Sequence, residues 1–158
     1  MSQASKPPAD RRRGPIPHLV VRDASAALDF YQAAFGAVEL YRMTSPDGSA
    51  LMHAEVAIDD NTLFLTDEHP DMGSVSPLSL GGASVTFNLN TKDVDAAYER
   101  AVSAGASGVM PPADMFWGDR YARLVDPYGH SWALVCRQHD LSREEIEAAA
   151  QHYFAGES

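Results

Sequence analysis

The sequence predicts an α+β fold: two βαβββ modules in tandem, followed by a C-terminal helix. An internal repeat is the main reason. Asp23-Ala-Ser-Ala-Ala-Leu-Asp-Phe-Tyr31 runs on to Gly36-Ala37, and Asp93-Val-Asp-Ala-Ala-Tyr-Glu-Arg-Ala101 runs on to Gly105-Ala106. Each helix-like copy follows an apolar, strand-like run and precedes further such runs. The repeated unit is therefore supersecondary, and a binding site is expected where the copies face each other.

Ile16–Val21 reads as the first strand. Asp23 or Ser25 can cap a helix running to Phe35, which Gly36 ends by supplying a left-handed turn. Val38–Met43, Ala50–Ile58 and Leu63–Thr66 form a meander, with turns at Ser45-Pro-Asp-Gly48 and Asp59-Asp-Asn61. Asp67 to Gly82, rich in Pro, Gly and Ser, reads as a linker. The order then repeats, with a strand at Ser84–Asn90, a helix at Val94–Ala104 ended by Gly105, and a strand at Ala106–Met110. A long loop follows, then Tyr121–Val125 and Ser131–Cys136 joined by Asp126-Pro-Tyr-Gly129. Ser142-Arg-Glu-Glu145 is a capping box that opens a last helix through Phe154. The expected organisation is an N-terminal arm (1–14), module one (15–67), a linker (68–82), module two (83–137) and a C-terminal helical segment (138–158).

A chain of 158 residues, 45% hydrophobic and 22% charged, has the size and composition of one globular domain with a real core. No apolar run approaches the roughly 20 residues that a membrane span requires, so no membrane partner is expected. Arg11-Arg12-Arg13 is not followed by an apolar stretch, which argues against a secretory signal and leaves 1–14 as a disordered, proline-containing arm. The single Cys136 cannot form an internal disulfide and reads as a structural thiol in a cytoplasmic protein. A net charge of −10 argues against nucleic acid, whose phosphates demand clustered Lys and Arg.

The paired modules, the Asp-x-x-x-Ala-x-x-Phe-Tyr-x-x-x-Phe-Gly helix opening and the closing Asp126-Pro-Tyr-Gly129 turn together resemble the vicinal oxygen chelate superfamily. That superfamily includes glyoxalase I, extradiol dioxygenases, fosfomycin-modifying enzymes and bleomycin-binding proteins. The resemblance covers about residues 14–137. Pro17-His-Leu-Val-Val-Arg-Asp23, Met52-His-Ala-Glu55 and Phe116-Trp-Gly-Asp-Arg-Tyr121 look most like its PhnB-like branch. It implies half-open mixed β barrels of the glyoxalase type, with a ligand inside. In metal-dependent members it also implies one His, Gln or Glu ligand on the first and last strand of each module. Those positions fall here on Ile16, Phe64 or one residue to either side of it, Thr86 and Ala133, none of which binds a divalent ion through nitrogen or carboxylate. No cofactor and no metal are therefore expected. The one rescue would be an irregular site built from His18, His53 and Glu55.

Strand alternation supplies a lining for the cleft. Val85, Phe87 and Leu89 should pack on the helix and leave Thr86, Asn88 and Asn90 toward the cavity, while Trp132 and Leu134 are core and Ser131, Ala133 and Val135 face the cavity. If Leu124 is core, Tyr121 and Arg123 face inward. Met115-Phe-Trp-Gly-Asp-Arg120 is an aromatic loop at the expected mouth. The candidate ligand-binding residues are thus His18, His53, Phe64, Asn88, Phe116, Trp117, Arg120, Tyr121 and Arg123; no catalytic residue is assigned. The expected function is metal-free capture of an aromatic or polycyclic small molecule by a homodimer, as in the drug-sequestering members. The alternative is a lyase, isomerase or dioxygenase-like enzyme with a displaced metal or acid/base site. In a third reading, the acidic surface and terminal helix bind a protein partner.

Overall fold

The computed structural model describes residues 14–156, so the Arg11–Arg13 cluster lies outside the described residues. Two separate four-stranded mixed sheets carry the fold. The first is built from β1 (His18–Val21), β2 (Val38–Thr44), β3 (Leu51–Ile58) and β4 (Asn61–Asp67), in the order β1-β4-β3-β2. The second repeats it with β5 (Thr86–Asn90), β6 (Ser107–Asp114), β7 (Asp119–Val125) and β8 (Ser131–Arg137), in the order β5-β8-β7-β6. In each, the first strand pairs parallel with the last and the remaining pairs are antiparallel. The result is the α+β architecture expected from the repeat, with sheets that are not closed into barrels.

Helices α1 (Ala24–Phe35) and α3 (Val94–Ala104) begin alike. Asp23 and Asp93 each accept a hydrogen bond from the amide three residues on, satisfying a donor that the first turn cannot use. Gly36 closes α1 at φ 69°, a conformation that costs a side-chain-bearing residue energy. The two helices pack against each other. Ala27, Ala34, Ala97 and Ala101 are all buried, and their small side chains permit that close approach.

The modules meet around one carboxylate. Asp126 is 3% exposed and accepts four hydrogen bonds: from Tyr31 Oη (2.6 Å), Trp132 Nε1 (2.8 Å) and the amides of Tyr128 and His130 (2.9 Å each). Tyr31 belongs to α1 and the other three donors to the turn and strand of module two. Phe35 packs on Trp132 with ring centroids 4.6 Å apart. Arg100 Nε donates to Ala34 O, and a ring nitrogen of His130 lies 3.1 Å from Val20 O. A single buried cluster results, running from Leu19 to Leu134.

Two segments depart from the sequence reading. The linker is not irregular throughout. A 3₁₀ turn at Pro70–Met72 and a short helix α2 (Pro77–Leu80), capped by Ser76, lie within it, because Ser76 and Ser79 bond to Glu68. The expected long loop after Met110 is largely strand. β6 continues through Pro111-Pro112 to Asp114, leaving a short turn at 115–118. Proline lacks the ladder donor, but β6 is an edge strand, and its register shifts between Met110 and Ala113. Cys136 is half-buried, with Sγ 3.7 Å from Lys92 O.

The last helix, α4 (Arg143–Ala155), has the complete capping box. Its approach is pinned at Gly118, whose carbonyl accepts from the amides of Gln138 and His139. Gly118 sits at φ 96°, and a Cβ there would fall 2.7 Å from His139 O, so only glycine fits. Ile146, Ala149, Ala150, Tyr153 and Phe154 recur at helical spacing, and Tyr153 and Phe154 meet Phe116 at ring-centroid distances of 5.3 and 5.9 Å.

Tyr31 titrates well above the usual tyrosine range, because burial disfavours the phenolate and the Asp126 charge opposes it further. Above pH ~10 the unfolded chain releases this proton and the folded chain keeps it, so stability falls as pH rises. The expected contribution of Tyr31 is about 1.4 kcal/mol per pH unit, and Tyr31→Phe should flatten that part of the slope in urea melts at pH 9 to 11. At pH 7 the same substitution should cost about 1–2 kcal/mol. Asp126→Ala, which strands several buried donors, should cost about 3–5 kcal/mol.

Candidate functional site

In each sheet one face packs on α1 or α3 and the other is turned away from those two helices. Leu19, Val21, Ala54, Val56, Leu63 and Leu65 are the helix-side residues of module one, all under 8% exposed. Alternation then puts His18, His53, Glu55 and Phe64 on the opposite face. The ladder registers align His18 with Phe64 and Phe64 with Glu55, and Glu55 with Tyr41 on β2. In module two Ala122, Leu124, Trp132 and Leu134 are core, so Tyr121 and Arg123 lie on the far face, as alternation requires. Its corresponding row is Asn88, Ala133, Arg123 and Met110.

These rows are repeat-equivalent. His18 and Asn88 stand the same distance ahead of the capping Asp23 and Asp93, and each begins a row across the same strand order. The repeat has conserved the backbone while the side chains have diverged to opposite charge, Glu55 in one module and Arg123 in the other.

The module-one row forms a connected ring cluster. Centroid separations are 5.8 Å for His18–His53, 5.8 Å for His18–Phe64 and 4.8 Å for His53–Phe64, all edge-on. Tyr41 lies 6.3 Å from His53. His53 Nε2 is 3.5 Å from Oε1 of Glu55, whose side chain is buried. His18 titrates below the usual histidine value, chiefly because burial disfavours its cation and secondarily because His53 repels it. Among the described residues no three His, Cys, Asp or Glu side chains are grouped to hold a metal. The residues at the four ligand positions of metal-dependent relatives, Ile16, Phe64, Thr86 and Ala133, do not fit such an ion either.

The other sequence candidates fall into two sets. Trp117 and Tyr121 approach with centroids 5.6 Å apart, and Phe116 meets Trp117 at 5.0 Å, so an aromatic path leads from the 115–118 turn to the far face of module two. Arg120 is turned away from that face. It sits between Tyr121 and Asp119 on the helix side and forms ion pairs with Asp95 on α3 (2.5 Å) and Asp114 (3.0 Å). The expectation that Arg120 lines the cleft is corrected on that ground. Sequence reasoning missed Tyr41 and Met43, which β2 places opposite Glu55 and His53, and also Tyr153 and Phe154. The β2–β3 ladder has two register shifts, so no counting along β2 finds its partners. A groove of about 640 Å3 marks the seam between β1 and β5, lined in part by His18, Val20, Leu80, Phe87 and His130.

A fold of two such modules with a ligand-sized seam defines a class of protein, and sequence comparison agrees. Residues 15–134 match the model of the glyoxalase/bleomycin resistance protein/dioxygenase superfamily. The chain belongs to that family. An uncharacterized protein of Mycobacterium tuberculosis is 48% identical over 136 residues, covering 84% of this chain and 79% of its own. The crystal structure of an Arabidopsis thaliana gene product is similar at 28% identity and a TM-score of 0.64, over 78% of this chain and 98% of that one. The fosfomycin resistance protein FosX from Mesorhizobium loti shares the fold at 18% identity and a TM-score of 0.60, over 87% and 98%.

Because burial and His53 both oppose the charged form of His18, folding loses stability from this group as pH falls below 6.5 through its depressed folded-state value. Proton NMR of the histidine ring should show His18 titrating below 6.5, and His53→Ala should move that midpoint part of the way up. An unchanged midpoint would mean the two rings do not interact electrostatically.

Proposed function

We propose that this protein captures an aromatic or polycyclic small molecule against the helix-free faces of its sheets, without a resident metal. The observation that carries the reading is the cluster of His18, His53 and Phe64, extended by Tyr41, on the face turned away from α1. Rings provide large contact area at low entropy cost, and edge-on neighbours offer a face to a flat ligand. Capture needs that surface and a few polar anchors but no catalytic group. The donor-poor set Ile16, Phe64, Thr86 and Ala133 supports capture over metal chemistry. Exposed Val38 (59%), Met43 (46%) and Val109 (55%) on the edge strands β2 and β6 support a homodimer. The single cysteine supports a cytoplasmic location.

A second reading, acid/base catalysis, is favoured by one contact, the approach of His53 Nε2 to Glu55 (3.5 Å). Under that reading a compound would be consumed, and Glu55→Gln would stop turnover while leaving binding intact.

Titration of Trp117 fluorescence against a panel of polycyclic aromatics should give saturable binding, unaffected by chelator and without product by mass spectrometry. Phe64→Ala should weaken it on the order of tenfold. Loss of binding on chelation with recovery on adding metal, or no saturable compound in the panel, would sink the reading.

A further inference from the structure

We infer that Arg123 anchors an acidic group of the ligand, so that the compound taken is an aromatic anion rather than a neutral or cationic one. The inference rests on the capture reading and adds a charge to it.

Its basis is an imbalance in how the arginines are used. Arg22 bonds Ser79 and Glu68, Arg42 pairs with Glu39, Arg100 donates to Ala34 O, Arg137 pairs with Asp119 and Arg143 with Glu147. Arg120 is held by two aspartates. The Arg123 side chain makes no hydrogen bond or ion pair among the described residues, and its Nε is buried without a partner. In a chain with 22 acidic and 12 basic residues, a carboxylate partner for any arginine is readily available. A guanidinium withdrawn in part from water without a partner charge is costly, and an anion meeting the accessible ends of its fork offsets that cost.

Position agrees with the charge. Arg123 lies at the middle of β7 on the helix-free face, in the row that runs from Asn88 through Ala133 to Met110. Asn88, at the other side of Ala133, is exposed and stands roughly 10 Å away by strand spacing, within reach of a second polar group on the same compound. Tyr121, the next residue on this face, is the inner end of the path that runs through Trp117 to Phe116. A planar acid can therefore rest its rings along Tyr121 and Trp117 while its oxygens meet the guanidinium fork, whose paired donors match a carboxylate. At the repeat-equivalent position the charge is the opposite one, Glu55, so the guanidinium does not simply follow from the repeated backbone.

The test uses the full chain and matched probes: 2-naphthoate, 2-naphthamide and 2-naphthylmethylammonium, titrated by calorimetry at low and moderate salt. The expected result is that naphthoate binds about tenfold or more tighter than the amide, that the ammonium is weakest, and that Arg123→Gln abolishes the preference while Arg120→Gln keeps it. Arg123→Lys should retain part of it, and circular dichroism with a melting curve should show each variant folded. Equal binding of acid and amide, unchanged by Arg123→Gln, would overturn this inference and leave the capture reading standing. Failure of all three probes and of the wider aromatic panel would overturn both. If Arg123→Gln instead shifts self-association in sedimentation and leaves the probes unaffected, a second copy supplies the partner and the inference falls.

Discussion

The Asp126 carboxylate is the constraint on which the arrangement depends. A buried ionised carboxylate is tolerated only when its acceptor sites are filled, and here one donor comes from α1 while three come from the β7–β8 turn and β8. Moving α1 relative to β8 would strand the Tyr31 hydroxyl and one lobe of the carboxylate together. The hydrogen bonds give direction to what would otherwise be an adaptable apolar contact between Tyr31, Phe35 and Trp132. Arg100 and His130 add two cross-module bonds to backbone carbonyls, at Ala34 and Val20.

With α1 and α3 packed together, each sheet spends one face on the helices and keeps the other. That spare face is why polar and ionisable groups can occupy strands that are otherwise core. Ala54, Val56, Leu63 and Leu65 pack inward while His53, Glu55 and Phe64, alternating with them, lie on the other face. The same division in module two separates Ala122 and Leu124 from Tyr121 and Arg123. The two rows, His18-Phe64-Glu55-Tyr41 and Asn88-Ala133-Arg123-Met110, show what a duplicated unit gains. The backbone ladder is kept, because each strand must still satisfy its neighbours. The side chains on the spare face carry no such duty and have become opposite in charge and unequal in ring content.

Much of this was legible from local rules. Asp23, Gly36, Asp93 and Gly105 mark both helices because capping and left-handed termination are satisfied within a few residues. The inward residues Phe87, Leu89, Leu124, Trp132 and Leu134 follow from period-two alternation, but Val85, of the same phase, is exposed because β5 begins only at Thr86. The errors share a cause. Pro111-Pro112 reads as a strand breaker, yet an edge strand has a side on which a missing donor does not matter. Arg120 was placed by its neighbours in a loop that proved to be strand, and one residue of phase moved it to the other face, where Asp95 and Asp114 hold it.

The repeat, the order of elements, most of the core face and the poverty of metal donors at Ile16, Phe64, Thr86 and Ala133 can be read from the chain alone. All of these depend on interactions or counts within a short span of chain. Only the tertiary structure decided which far-face residues are neighbours. Phe64 lies beside His18, forty-six positions away, because β1 and β4 run parallel, and Tyr41 comes near His53 because the β2–β3 ladder pairs it with Glu55 after a register shift at Glu39–Tyr41. It alone also decided that the Arg123 side chain meets no partner among the described residues while that of Arg120, three residues earlier, makes several bonds. Whether a charged group meets a partner is a property of packing across strands and helices, and no local pattern encodes it.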